Sequence, residues 1–355
     1  MITVSAPGKI HLSGEHSVVY GQPALLASVE KRIRVFGKLL IHKKIIFYDT
    51  LRQAQGERGE VWDYSEIEAF SNWANEQWKK FAQNGDVAYL AGIKKDFWGL
   101  RKIAIGETYK FLKKEPKNGF YLELSSDLES GVGMGSSAAV AAVLVGAIFS
   151  LEGQTWDLEK INHVVYEIEK KMHGFPSGGD NSVVVYGGLL KFQKKKDKKI
   201  MRRLAVPKNT PDFILINTGR PAESTAEMVG KVRVNYAREE NRLQTIFAQV
   251  GQVTERMVHA FEQGTLENLG SIIKKNGKYL EALSLLGEKA KNIVKLIETI
   301  GGSAKICGAG GVQEGSGVIL AFHSDLSQLT DLLKKRNISF FKVSISCEGV
   351  RREKV

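Results

Sequence analysis

Gly131-Val132-Gly133-Met134-Gly135-Ser136-Ser137-Ala138-Ala139 sets glycines at alternate positions, adds a serine pair and runs directly into an alanine-rich apolar stretch that ends at Phe149. Glycines let a backbone approach an anion closely. The free N–H groups of a helix's first turn, reinforced by the helix dipole, then favour negative charge. A serine hydroxyl at such a helix start can also ligate the Mg2+ that accompanies ATP. A structural glycine turn closed by a serine N-cap explains the same residues, because glycine loops of this kind match by chance. Gly131, Gly133, Gly135, Ser136, Ser137 and Ala138 are therefore candidate ATP-phosphate contacts.

Working outward, Ala138–Phe149 is apolar on all sides and reads as a buried helix. Trp156–Met172 reads as a second helix, and Val183–Phe192 as a strand pair bent at Gly187-Gly188. On the N-terminal side, Ile2–Ser5 and Ile33–Ile46 are β-type stretches broken by glycine turns at Gly8, Gly14 and Gly21. A polar turn at Gly56 to Gly59 precedes helical spacing over Ile67–Phe81 and Ile93–Leu112, and Phe120–Ser125 alternates as a strand. Beyond the lysine run that starts at Lys194, strands are expected over Phe213–Asn217, Val318–Phe322 and near Ser339–Ser346. Helices are expected over Glu223–Phe261 and Leu266–Leu285, with another ending at Ile300. With 355 residues the chain exceeds what one compact core usually holds, so two domains are expected. The division is placed at 1–192 and 193–355, and the pattern is a mixed α+β one.

Net charge is +12, from 51 Lys+Arg against 39 Asp+Glu, which admits nucleic acid, a membrane surface or an anionic small substrate as partner. Much of the excess lies in Lys194-Lys195-Lys196-Asp197-Lys198-Lys199, Arg202 and Arg203, between two strand-like segments. No aromatic residues interleave there as base-stacking platforms, so a solvated hairpin tip is favoured over a nucleic-acid patch. Cys307 and Cys347 form no C-x-x-C, which argues against a disulfide framework or a zinc cluster and for a reducing cytoplasm. The longest apolar run, Ala138–Phe149, is twelve residues, short of the ~18–20 that span a bilayer, and no targeting segment is visible.

No G-x-x-x-x-G-K-[ST], H-R-D or D-F-G occurs, which excludes a P-loop NTPase and a protein kinase. Two further segments accompany the glycine loop. Ala6-Pro7-Gly8-Lys9-Ile10-His11-Leu12-Ser13-Gly14-Glu15-His16 lies near the N-terminus, and His173-Gly174-Phe175-Pro176-Ser177-Gly178-Gly179-Asp180-Asn181 lies downstream of the loop. In order and content the three segments resemble the motifs of the GHMP kinase family, and the third resembles the branch that phosphorylates mevalonate. The third segment, met alone, would read as an ordinary turn.

The resemblance implies a ribosomal-protein-S5-like N-terminal domain, a ferredoxin-like C-terminal domain, and ATP-dependent phosphorylation of the C5 hydroxyl of mevalonate. It assigns the catalytic carboxylate to Asp180, which would orient or deprotonate the hydroxyl. Lys9 would depress the pKa of Asp180 or bind the transferring phosphoryl group. Glu169, eleven residues upstream of Asp180, would share Mg2+ with Ser137, chosen over Ser136. Glu15, His16, Ser177, Gly178 and Thr225 would line the substrate site. A surface ion pair explains Glu15 and His16 equally in isolation, and a helix N-cap explains Ser224-Thr225. Mevalonate and ATP are the expected partners, without nucleic acid or membrane; a homodimer is left open. Two departures stand out. Gly308-Ala309-Gly310-Gly311 continues as Val312-Gln313-Glu314-Gly315-Ser316-Gly317, where the family has further glycines, and Glu129 replaces a usual proline. A glutamate beside a triphosphate is repelled unless it faces solvent or a cation. The alternatives are a kinase of a related alcohol such as phosphomevalonate, and a catalytically silent ligand-binding homologue.

Overall fold

The computed structural model describes residues 1–50, 59–128, 133–195, 198–345 and 347–354; Gly56, Glu129, Gly131, Lys196 and Asp197 lie outside them. The frame is an antiparallel pair, β1 (Ile2–Ser13) and β2 (Ala24–Leu39). Strand alternation sorts β1 cleanly: Val4, Ala6, Ile10 and Leu12 join the apolar core, while Ser5, Lys9, His11 and Ser13 form a buried polar row. That row is where the chemistry collects.

The order continues with β3 (Ile45–Asp49), β4 (Glu60–Trp62), α1 (Tyr64–Asn84), α2 (Ala88–Lys95), α3 (Gly99–Leu112) and β5 (Phe120–Ser126). Next come α4 (Ser136–Leu151), α5 (Leu158–His173), α6 (Gly179–Tyr186), β6 (Leu189–Lys195) and β7 (Lys198–Leu204). These strands form a sheet in the order β12-β1-β2-β5-β3-β4, with β6 on the start of β2 and β7 on β6; β12 (Arg351–Arg352) returns from the chain's end. β3 and β5 run parallel, and their connection carries α1 to α3.

A second, antiparallel sheet has the order β11-β8-β10-β9, from β8 (Phe213–Asn217), β9 (Ser303–Cys307), β10 (Val318–Phe322) and β11 (Phe340–Val343). It carries α7 (Thr225–Arg238), α8 (Glu240–Gln263), α9 (Leu269–Glu281), α10 (Glu288–Glu298) and α11 (Leu326–Lys335). The expected division at 192/193 falls inside β6, whose pairing with β7 carries the first sheet on to Leu204.

α4 is buried from Ala138 to Phe149, as its composition requires. Three local expectations are corrected. Val183–Tyr186 is helix, not strand: Gly178 starts α6 at φ 96°, Ser182 Oγ donates to Gly178 O at 2.6 Å, and full burial of the valines overrides their β preference. Ile33–Ile46 is two strands, β2 ending at Leu39 and β3 starting at Ile45. Glu239, at φ −131°, breaks the long helical run between α7 and α8. The lysine run flanks a β6–β7 hairpin, with Lys195 opposite Lys198. The enclosed Arg32 guanidinium donates to Ser5 Oγ, Glu348 O and Gly349 O, tying the C-terminal segment to the first sheet. Among the described residues no helix is long and apolar enough to cross a membrane.

Candidate active site

The polar row of β1, the start of α4 and the start of α6 meet at one place. Gly135 begins α4 in the left-handed region at φ 72°, and a Cβ there would lie 2.6 Å from Lys9 Cγ. Glycine is thus required twice, for its backbone angle and for the passage of the lysine. Lys9 N donates to Met134 O at 2.9 Å, which locks the loop to β1. Gly308 lies 3.6 Å by its ideal Cβ from Gly133 O, so the third glycine segment faces the phosphate-type loop. Ser136, Ser137 and Ala138 form the first turn of α4, whose N–H groups are oriented for an anion. Gly131 lies outside the described residues.

α6 presents Asp180 in its first turn. Lys9 Nζ is 2.8 Å from Asp180 Oδ2, and His11 Nε2 is 3.0 Å from Oδ1. Lys9 is buried, whereas the Asp180 side chain keeps 38% of its surface exposed. Burial alone would push this carboxyl up; the Lys9 ammonium and the His11 ring outweigh it and hold the group well below the usual carboxylate range. Asp180 is therefore anionic at neutral pH, and a weak base.

On the other side of Lys9, Ser137 Oγ donates to Glu169 on α5, and His173 Nε2 lies 3.3 Å from Ser137 Oγ and 3.6 Å from Glu169. Burial pushes Glu169 up to about 7 against the Ser137 hydrogen bond, and burial, with Lys94 nearby, pushes His173 down to about 4. Ser177 and Gly178 sit in the turn before α6, where Ser177 Oγ accepts from Gly179 N at 3.1 Å and a Cβ on Gly178 would meet Lys199 Nζ at 2.9 Å. Thr225 opens α7 with an exposed side chain; the cap itself is Ser224, in a capping box with Glu227.

Glu15 and His16 occupy a different layer. Glu15 and Lys305 of β9 form an ion pair with neither side chain exposed, and Lys305 Nζ also donates to His11 O at 3.0 Å and Ile306 O at 2.9 Å. His16, buried and at φ 58°, places Nε2 3.0 Å from Ala309 O. Both side chains brace the first motif against the second sheet, behind the row that carries Lys9 and His11. The altered loop is accommodated similarly. Glu314 is exposed, and Glu223 accepts from Val312 N and Gln313 N. Gly315 packs against Gly219 so closely that a Cβ would lie 2.2 Å from its carbonyl oxygen.

His11, Lys94 and Lys305 are contributors that the motifs did not single out. His11 had a signal, two positions from Lys9 on one strand and so on the same face. Lys94, whose charge reaches Glu227 and Glu169, comes from the intervening helix α2 and had none.

A loop at a helix start, a lysine-clamped aspartate and a second oxygen pair together offer the chemistry that phosphoryl transfer asks for. The family model for the GHMP kinases N terminal domain matches residues 103–188. The chain is similar to the mevalonate kinase of Pyrococcus furiosus, 28% identical over 317 residues that cover 87% of this chain and 86% of the relative. It is also 26% identical to the mevalonate kinase of Methanocaldococcus jannaschii over 95% of this chain and 97% of that one. The crystal structure of the Methanococcus jannaschii mevalonate kinase superposes with a TM-score of 0.75, at 24% identity, over 97% of this chain and 98% of that chain.

Proposed function

We infer that this protein is a mevalonate kinase, transferring the γ-phosphoryl group of ATP to the C5 hydroxyl of mevalonate. The observation that carries the reading is the Lys9–Asp180 pair, 2.8 Å apart, set against the start of α4. The similarity to mevalonate kinases along nearly the whole chain supports the choice of alcohol.

Phosphoryl transfer asks the protein for orientation and charge neutralisation more than for covalent work. Asp180 accepts the hydrogen bond of the C5 hydroxyl and aims its oxygen at the γ-phosphorus. As the new P–O bond forms and the bond to the β-phosphate oxygen breaks, the hydroxyl becomes acidic and its proton passes to Asp180. A carboxylate held so far below its ordinary range takes that proton only late, which suits a loose transition state. Lys9 serves both ends, keeping Asp180 anionic and offering its ammonium to the transferring oxygens. The amides of α4's first turn hold the phosphates.

Ser137 and Glu169 fit a Mg2+ site: two hard oxygen donors already in contact, one a carboxylate, beside a phosphate-binding helix start. The described residues hold no group of three or more His, Cys, Asp or Glu that would enclose a metal by itself, a donor set that suits an ion completed by nucleotide phosphates and water. Bound there, the ion would neutralise charge on the β- and γ-phosphates. Ser177, Gly178 and Thr225 are proposed to border the alcohol. Glu15 and His16 are proposed to shape that site from behind, through the chain they brace. Two cysteines without a disulfide support a reducing, cytoplasmic setting.

The test is ADP release on mixing the purified protein with ATP, Mg2+ and mevalonate, with phosphomevalonate and homoserine as comparison alcohols. Mevalonate is expected to give the highest kcat/KM by at least about tenfold. Turnover confined to another alcohol would refute the substrate assignment.

A further inference from the structure

We propose that His11 is a positioning residue for this transfer, locking the plane of the Asp180 carboxylate through its second oxygen; the proposal rests on the kinase reading above. A carboxylate held by one lysine can still swing about its terminal bonds. Here Lys9 takes Oδ2 and His11 takes Oδ1, at 2.8 Å and 3.0 Å, so the plane is defined at both ends while 38% of the side chain stays open to a substrate. Each carboxylate oxygen retains a further lone pair to accept a hydroxyl.

The ring is itself fixed from behind. His11 N donates to Cys307 Sγ at 3.1 Å, and His11 O accepts from Lys305 Nζ at 3.0 Å. Both anchors are on β9, so the second sheet sets where the imidazole stands. Its own Nδ1 is buried and has no hydrogen-bond partner among the described residues. A protonated ring would leave that N–H enclosed and unpaired, so the neutral ring with its proton on Nε2, donating to Asp180, is the form that fits. Lys9, Asp180, Glu15 and His16 are the charged or titratable groups around the ring from its own segment and α6; Lys305 and Cys307 face it from β9. Burial and Lys9 both lower the ring's affinity for a proton, in keeping with a neutral donor. With no partner on Nδ1 the imidazole passes no proton onward: it orients.

His11→Gln and His11→Asn separate positioning from mere packing. A glutamine amide nitrogen reaches the place of Nε2, whereas an asparagine amide stops short of Asp180. Steady-state kinetics of the full chain with ATP and mevalonate should show kcat lower by roughly 10- to 100-fold in His11→Asn, with both KM values within about threefold, because misplacement of a reacting group acts on the transition state. His11→Gln should stay within about fivefold of the unmodified chain in kcat. Equal losses in both variants, or a loss confined to KM, would overturn the proposal. A readout independent of turnover is the carboxyl 13C titration of Asp180, assigned with Asp180→Asn. Its midpoint should rise in His11→Asn and stay low in His11→Gln; identical midpoints would also overturn the role. Absence of turnover by the unmodified chain would refute the kinase reading instead, and the titration would then decide on His11 alone.

Discussion

Replacing Lys305 with methionine strips an enclosed carboxylate of its counter-ion. Neither side chain of the Glu15–Lys305 pair is exposed, so water cannot take the lysine's place. A carboxylate left this way is neutralised by a proton rather than kept charged. At pH 7, protonating a glutamate whose free reference value is near 4.3 costs about 3.7 kcal/mol, at about 1.36 kcal/mol per pH unit. That figure falls within the range of about 3–5 kcal/mol for breaking a buried pair from one side. The sign follows from proton counting: the variant's folded state holds a proton that its unfolded state releases, so its deficit grows as pH rises and shrinks toward pH 4. At pH 5.5 the same arithmetic gives about 1.6 kcal/mol. Urea unfolding followed by tryptophan fluorescence at both pH values measures the difference. Glu15→Gln combined with Lys305→Met should recover about 2 kcal/mol relative to Lys305→Met alone at pH 7, since no charge remains to be neutralised. A deficit below about 1.5 kcal/mol at pH 7, or one independent of pH, would refute the reasoning.

Asp180→Asn should lower kcat by roughly 10²- to 10⁴-fold while calorimetry finds ATP affinity within about threefold, because the lost group acts on the alcohol. In Lys9→Met the residual kcat/KM should lose its acid side at higher pH than in the unmodified chain: Lys9 favours the anionic form of Asp180, and without it a proton binds more readily. A pH profile of the variant checks this. Gly135→Ala forces a Cβ into the left-handed region and to 2.6 Å from Lys9 Cγ, so it should cost about 1–2 kcal/mol of stability from the backbone angle alone. It should also raise KM for ATP; thermal unfolding and kinetics read the two effects separately.

The elements that the sequence made legible are those in which local chemistry and tertiary environment agree. α4 is apolar all round and is buried all round; the lysine run sits where solvent is, on a hairpin. The Val183–Tyr186 helix is hidden from the sequence because its valines favour strand locally, and only the glycine turn at Gly178 and complete burial show why a helix wins. Within the site, Lys9 and Asp180 were nameable from motifs, and the structure brings their charges into contact across 171 residues of chain. Lys305 was not nameable. A lysine at the centre of Ser303–Cys307 interrupts an apolar strand, and its partner Glu15 lies 290 residues away, so nothing local announces the pair.

The altered third loop shows how such distant partners absorb a departure in sequence. A glutamate is hazardous beside a triphosphate, yet Glu314 is exposed and the turn that contains it is fixed by three sets of contacts. Glu223 caps Val312 N and Gln313 N; Gly315 is pressed onto Gly219; and Ser316 Oγ donates to Gly311 O at 2.7 Å while its own N–H is accepted by Thr218 Oγ1. Gly308, which faces Gly133, precedes this turn, and the negative charge of Glu314 lies within it on the exposed side. Electrostatic repulsion of a nucleotide falls with distance and with solvent screening, so an exposed Glu314 weakens phosphate binding little. By the same reasoning, a glutamate at Gly308 would bring both its charge and a disfavoured backbone angle to the loop before α4.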